Sequence, residues 1–416
     1  MGYLKRIIIV VAALLLAAPA RAGWDAGVLP FIGYNSDLGL HYGLSADIFD
    51  YGEIFPQYRQ RYYIELSRYT GGQTLLHAQY DSEYLIPGVR TFFAASWQRD
   101  PLFQFYGLCG VEPYVKDYDF NKTTRTARYA YRRSMIRLLA DFQGASEGPL
   151  DWVAGVSFWH YGLSDLQHKS YDSERTLYRE MVDAGVINQN EADGGSVLEF
   201  KAGLKYDTRD NEAAPSRGIW AEAYLSGSPD LSGEGYAYVK AAAHLRGYLP
   251  INGEDLVAAA HLAYQGTVLG TAPFYTQQNI STLILRQPGT DGLGGPNTVR
   301  GLLAQRLVGD SYAWLNTELR IRLYEWEQLG RSWYLAINPF FDAGMVTRLY
   351  KGEELAAFYG RSIEDLRRDA VRLHCGAGAG LKIAMDTNFI WSLEAAKPLV
   401  RTDGSFALYL ALNYIF

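Results

Sequence analysis

The last eleven residues, Phe406 to Phe416, read FALYLALNYIF. In an extended chain Phe406, Leu408, Leu410, Leu412, Tyr414 and Phe416 fall on one face, and Ala407, Tyr409, Ala411 and Asn413 on the other, because successive strand side chains point to opposite sides. An apolar face backed by a small or polar one suits a strand with hydrocarbon outside and water or polar groups inside. This restricts the fold severely. Backbone in a bilayer must satisfy its own hydrogen bonds, and for strands the closed barrel is the solution.

The same period recurs upstream. Leu315, Thr317, Leu319, Ile321 and Leu323 alternate with Asn316, Glu318, Arg320 and Arg322, four polar residues that cannot meet lipid and must line a lumen. Leu198 to Asp207 and Arg61 to Ser67 repeat the pattern. Counting one strand per alternating segment predicts strands near 27–35, 39–50, 58–70, 74–86, 96–110, 128–143, 150–162, 197–209, 217–227, 235–249, 255–267, 310–325, 332–346, 371–385, 388–398 and 406–416. The expected fold is all-β: a transmembrane antiparallel barrel of sixteen strands, an even number that brings both chain ends to one side. Tight turns such as Ile251 to Glu254 then lie on the periplasmic side, and the long connections 111–127, 163–196, 268–309 and 347–370 lie outside. Helix-period stretches within two of them, Arg175 to Val186 and Glu353 to Ala370, suggest short helices at the barrel mouth. The terminal Phe, with an aromatic two residues earlier, also resembles the C-terminal recognition signal of outer-membrane proteins.

The N-terminus reads as an export leader. Lys5 and Arg6 precede the aliphatic run Ile7 to Ala18, and Ala20-Arg21-Ala22 forms a small-x-small cleavage site, so residues 1–22 are expected to be a signal peptide and 23–416 the barrel. With 39 Lys and Arg against 45 Asp and Glu, and three of the basic residues in the leader, the mature chain is acidic and nucleic acid is not an expected partner. The two cysteines, Cys109 and Cys375, are expected to stay unbridged, because disulfide geometry is strict. No enzyme constellation emerges. Gly144 to Gly148 matches G-x-S-x-G but lies in a polar turn without the helix that motif requires, and Ser157 and His160 sit on opposite faces. The seven histidines lack ligand spacing, so neither metal nor cofactor is expected.

One loop arginine stands out. Arg300, in GGPNTVRGL, belongs to the sixth outer connection, which is longer than joining two strands requires. Folded back into the barrel, its planar fork would reach Glu318 and Asp342 on the lumenal faces of LNTELR and NPFFDAG; a lysine could not reproduce those paired hydrogen bonds. The closing seam joins the first and last strands, and the first contains Pro30 and Gly33, which weaken a ladder, so the seam where it meets the strand ending at Phe416 is expected to hold fewer hydrogen bonds than its neighbours and to act as a lateral gate.

These motifs resemble the BamA/TamA outer-membrane barrels, the bacterial surface antigen family. Val299-Arg300-Gly301-Leu302 is similar to the family's V-R-G-aromatic loop motif, with Leu302 in place of the aromatic, and Phe340-Phe341-Asp342-Ala343-Gly344 matches its F-x-D-x-G strand motif. Glu318 resembles the family's lumenal glutamate, and GLKYDTRDNEAAPSRG (203–218) its D-T-R-D-N turn. The resemblance implies a lumen-inserted sixth surface loop fixed by Arg300, Glu318 and Asp342. It also implies a role in outer-membrane biogenesis or export, with membrane lipids, a protein or lipid client and a separate periplasmic partner as companions. The family's periplasmic POTRA domains have no counterpart in 23–416. The alternative function is a passive diffusion pore.

Overall fold

The computed structural model describes residues 23–51, 58–144, 148–172, 175–280, 290–328, 330–386 and 389–416. The leader, and Ala145 to Glu147 of the G-x-S-x-G match, lie outside the described residues. Sixteen strands close one antiparallel barrel in strict chain order. They are β1 (Trp24–Asn35), β2 (Gly39–Asp50), β3 (Gln60–Tyr69), β4 (Thr74–Ile86), β5 (Val89–Gln104), β6 (Ala130–Gly144), β7 (Leu150–Ser164) and β8 (Gly194–Asp207). The second half comprises β9 (Gly218–Ser228), β10 (Tyr238–Asn252), β11 (Leu256–Gly270), β12 (Ser311–Gln328), β13 (Arg331–Arg348), β14 (His374–Met385), β15 (Phe389–Pro398) and β16 (Ala407–Leu412). The sixteen-strand, all-β expectation holds. No helix among the described residues is long and apolar enough to cross a membrane.

Alternation sorts the side chains as the sequence implies. Phe200, Leu204, Leu245, Leu262 and Leu323 point outward, while Asn316, Glu318, Asn338 and Asp342 are buried inside. Four of the outer connections, 105–129, 165–193, 271–310 and 349–373, are long, whereas those after β1 and β3 are tight turns. Helices Leu177–Asp183, Gly352–Tyr359 and Ile363–Ala370 stand where helix-period stretches were expected. The first is capped by Thr176, whose side chain accepts from the Arg179 N–H, and the last by Ser362, which accepts from Asp365 N–H.

The outer connections build an apolar core inside the barrel mouth. Phe105, Leu108, Phe274, Val299, Leu302 and Leu355 are all fully or almost fully buried in it. This corrects the fifth strand. β5 starts at Val89 rather than 96 and stops at Gln104, because Phe105 to Cys109 is apolar on every side and leaves the sheet to join that core, turning at Cys109 with φ 61°. Both cysteines are free, and burial pushes the Cys109 thiol up to about 12.

The last strand is also shorter than its sequence period. β16 ends at Leu412, and Asn413 takes a left-handed conformation, φ 67°, which Asn tolerates better than most residues. Tyr414 and Phe416 therefore leave the lipid-facing series and turn into the lumen. The Arg320 guanidinium lies 4.0 Å from the Tyr414 ring centroid, and its Nη2 donates to the Phe416 carbonyl oxygen at 2.5 Å. A cation and an aromatic stack draw in an end that would otherwise leave its terminal carboxylate against hydrocarbon.

Candidate functional site: the plug and the seam

The connection between β11 and β12 re-enters the barrel and lies against both walls. On one side Arg133 of β6 donates to both carboxylate oxygens of Asp291, at 2.9 and 2.7 Å. On the other, Arg300 is wholly buried. Its Nε and Nη2 donate to Asp342 Oδ2 and Oδ1 at 2.7 and 3.0 Å, the paired geometry available to a guanidinium, and its backbone N–H donates to Asp342 Oδ2 at 3.0 Å. Nη1 reaches Glu318 Oε1 at 2.7 Å, and Phe340 supplies a ring face 3.6 Å from the guanidinium carbon. Burial opposes the charge on Arg300, but the Asp342 and Glu318 carboxylates outweigh it and hold the group protonated above its ordinary range.

The loop motifs are placed by close packing. Val299 is buried, and a Cβ on Gly344 would sit 2.8 Å from its Cγ2, so the strand glycine makes room for the loop valine. Gly301 has φ 92°, which a side chain would strain, and its position next to β15 leaves no room for one: a Cβ would be 2.9 Å from the Lys397 carbonyl carbon. Leu302, which replaces an aromatic, is buried in the mouth core.

Several partners were not anticipated from the sequence. Glu394 of β15 also accepts from Arg300 Nη1, at 3.1 Å, and from Lys382 Nζ of β14 at 2.7 Å. Arg320 Nε donates to the second Glu318 oxygen at 3.2 Å. Arg300, Arg320 and Lys382 thus face Asp342, Glu318 and Glu394, three cations with three carboxylates, and Arg320 carries the chain on to the C-terminus. Gly376 seats the plug, since a Cβ there would be 1.9 Å from the Arg300 carbonyl oxygen. The signals were present: Glu394 has lumenal parity in WSLEAAKP, and Gly376, Gly378 and Gly380 alternate in HCGAGAG. A second loop arginine, Arg306, is equally buried. It donates to Asp403 Oδ1 at 3.3 Å and to the Glu112 carbonyl at 2.7 Å, and His374 Nδ1 lies 2.8 Å from the other Asp403 oxygen.

The seam differs from every other junction in the barrel. β1 pairs with β2 along its whole length, but with β16 through two residue pairs, Tyr34 with Leu410 and Asn35 with Tyr409. The Ser36 N–H adds a bond to the Leu408 carbonyl at 3.1 Å. Gly33 lies where the last strand arrives: a Cβ there would be 3.0 Å from the Leu410 carbonyl. Pro30 lies on the stretch of β1 that pairs with β2 alone among the described residues. Phe416 does not join these two. It lies in the lumen, its ring 5.5 Å from that of His261, so the expected seam trio is split between the barrel wall and its interior. His160 is exposed and Ser157 is buried on the opposite face, as their parity implies.

A sixteen-strand barrel with an arginine-anchored loop in its lumen and a two-pair seam defines a loop-plugged outer-membrane barrel. A model of the Omp85 superfamily domain matches residues 88–404, and the chain belongs to that superfamily. Among solved structures it is similar to BamA from Haemophilus ducreyi lacking POTRA domains 1–3, at 16% identity and TM-score 0.59 over 94% of this chain and 70% of that one. It is also similar to CdiB from Escherichia coli, at 13% identity and TM-score 0.56 over 96% of this chain and 64%, less than two thirds, of that one. No curated protein matches. The protein is an outer-membrane barrel of the Omp85 superfamily whose fold is similar to that of BamA.

Proposed function

We propose that this barrel assists a protein or lipid client to enter or cross the outer membrane, with the seam as its lateral gate and the plug as the element that keeps the lumen shut. The observation that carries this reading is the pairing of a closed lumen with a nearly unpaired junction. Strand addition to the free edge of β1 would supply a client strand with the backbone partners that β16 leaves unused. A diffusion pore needs neither feature. Delivery of a client to the periplasmic end is assigned to a separate partner.

Single-channel conductance of the refolded protein in a planar bilayer, wild type beside Arg300→Ala, tests the reading. A small, fluctuating wild-type conductance that grows in the variant supports the plugged barrel. A large, steady conductance in both would make the protein an open pore.

A further inference from the structure

The ordered end of the seam carries a cluster of oxygen atoms that neither plug nor gate uses. Asp37 forms the turn between β1 and β2. Its Oδ2 accepts from the plug-loop Ala304 N–H at 3.2 Å, and its carbonyl accepts from Gln104 Nε2, at the end of β5, at 3.1 Å. Gln104 is 3% exposed, and the Oε1 of that same amide has no hydrogen-bond partner among the described residues. Tyr106, 1% exposed, holds an equally unpartnered hydroxyl. Asp119, in the β5–β6 connection, accepts from the Tyr114 hydroxyl at 3.2 Å through Oδ2, while its Oδ1 is buried without a partner. A further unpartnered amide oxygen, Gln305 Oε1, follows Ala304 in the chain.

Every orphaned atom in this group is an oxygen that can accept, and buried acceptors without donors are costly unless something positive meets them. The Tyr106 and Tyr114 rings pack edge to face with centroids 5.7 Å apart, Asp119 accepts from Tyr114 and Asp37 accepts from Gln104, two residues before Tyr106; the charges of both carboxyls act on the two phenols. Arg306, whose charge also reaches Tyr106, donates through Nε and Nη2 to Asp403 and to the Gly110 and Glu112 carbonyls, while its Nη1 has no partner among the described residues. Burial, with the Asp119 charge adding to it, pushes the Asp37 carboxyl up to about 7, and burial pushes Asp119 up to about 6. Two carboxylates with neutral carbonyl and phenol oxygens, and no nitrogen or sulfur, make a donor set for a hard divalent cation of flexible coordination.

We propose that Asp37, Asp119 and the Gln104 amide oxygen form a divalent-cation site, Ca²⁺ by preference, that ties the β1–β2 turn to the β5–β6 connection and the plug loop. Asn35 and Ser36, which make seam contacts, immediately precede Asp37, so the cation clamps the end of the seam that is paired. Outer-membrane gating would then depend on external divalent cations.

The test is Tb³⁺ luminescence excited through tyrosine, on the full chain refolded in uncharged detergent free of lipopolysaccharide. Tyr106 and Tyr114 are the sensitising rings. Expected are saturable emission displaced by Ca²⁺, about tenfold weaker binding in Asp37→Asn and in Asp119→Asn, and unchanged binding in the exposed neighbour Asp117→Asn. If the acidic variants fail to fold, Gln104→Met, which keeps the bulk and removes the amide oxygen, takes their place. Absent emission, or emission equal in wild type and site variants, overturns the site.

Discussion

The junction between β12 and β13 and the junction between β1 and β16 belong to one barrel and share its alternation, yet one is sealed and the other is nearly open. β12 and β13 pair through fifteen residue pairs and carry Glu318 and Asp342, which hold the plug. β1 and β16 pair through two. The sealed junction combines a long ladder with a buried charge cluster in which Asp342 depends on Arg300 while Glu318 and Glu394 each meet two cations. The seam has a short strand, a proline on the unmatched stretch of its partner, and a C-terminal tail whose aromatic and carboxylate groups are occupied elsewhere. Pairing and charge are concentrated where the loop is held, and are sparse at the seam.

The largest test of that contrast is Arg300→Ala. It strips the buried carboxylates Asp342 and Glu318 of their shared cation and should cost about 3–5 kcal/mol, read from denaturant unfolding of the refolded barrel. Arg300→Lys should recover little of it, because an ammonium cannot span two carboxylates in the paired geometry. Equal stability of wild type and Ala variant would remove the cluster from the account.

Cross-linking comes next. A Tyr34→Cys, Leu410→Cys pair that closes the seam should abolish client insertion or passage, and reduction should restore it. The matched pair Ala313→Cys, Met345→Cys, across the sealed junction, should leave activity intact. Activity in the locked seam variant would sink the gate.

A smaller effect separates the two regions by steric room alone. Gly376→Ala drives a Cβ into the Arg300 carbonyl and should lose about 1–3 kcal/mol, whereas Gly27→Ala on β1 meets nothing within 4 Å and should change stability by less than about 0.5 kcal/mol. Comparable losses at both would mean the plug is not tightly seated. Of similar size is Arg320→Ala, which removes a donor from the Phe416 carbonyl oxygen and from Glu318 at a cost of about 1–3 kcal/mol and should speed trimming of the chain end by carboxypeptidase. An unchanged trimming rate would show that the tail is held by packing instead.

Much of the barrel was legible because its period is enforced at every residue: one face meets lipid, the other does not, and Leu315 to Leu323 or Phe200 to Tyr206 cannot be slipped by one position without turning charge into hydrocarbon. Arg300, Glu318 and Asp342 were legible for a related reason. Two carboxylates of lumenal parity required a cation, and the long sixth loop offered one. Glu394, Lys382 and Arg306 were not, although each has a readable polarity, because parity gives the face of a residue and not its height or the loop it meets.

The sequence by itself determined the strand count and the inward and outward faces, since these follow from local alternation. Tertiary structure decided the rest. β5 ends where an apolar mouth core outbids the sheet for Phe105 to Cys109, and β16 ends at Leu412 because Arg320, four strands away in chain order but adjacent across the lumen, offers Tyr414 and Phe416 a cation that lipid cannot. Alternation is a nearest-neighbour property and survives in the sequence. Competition between distant partners for one segment exists only once the barrel has closed.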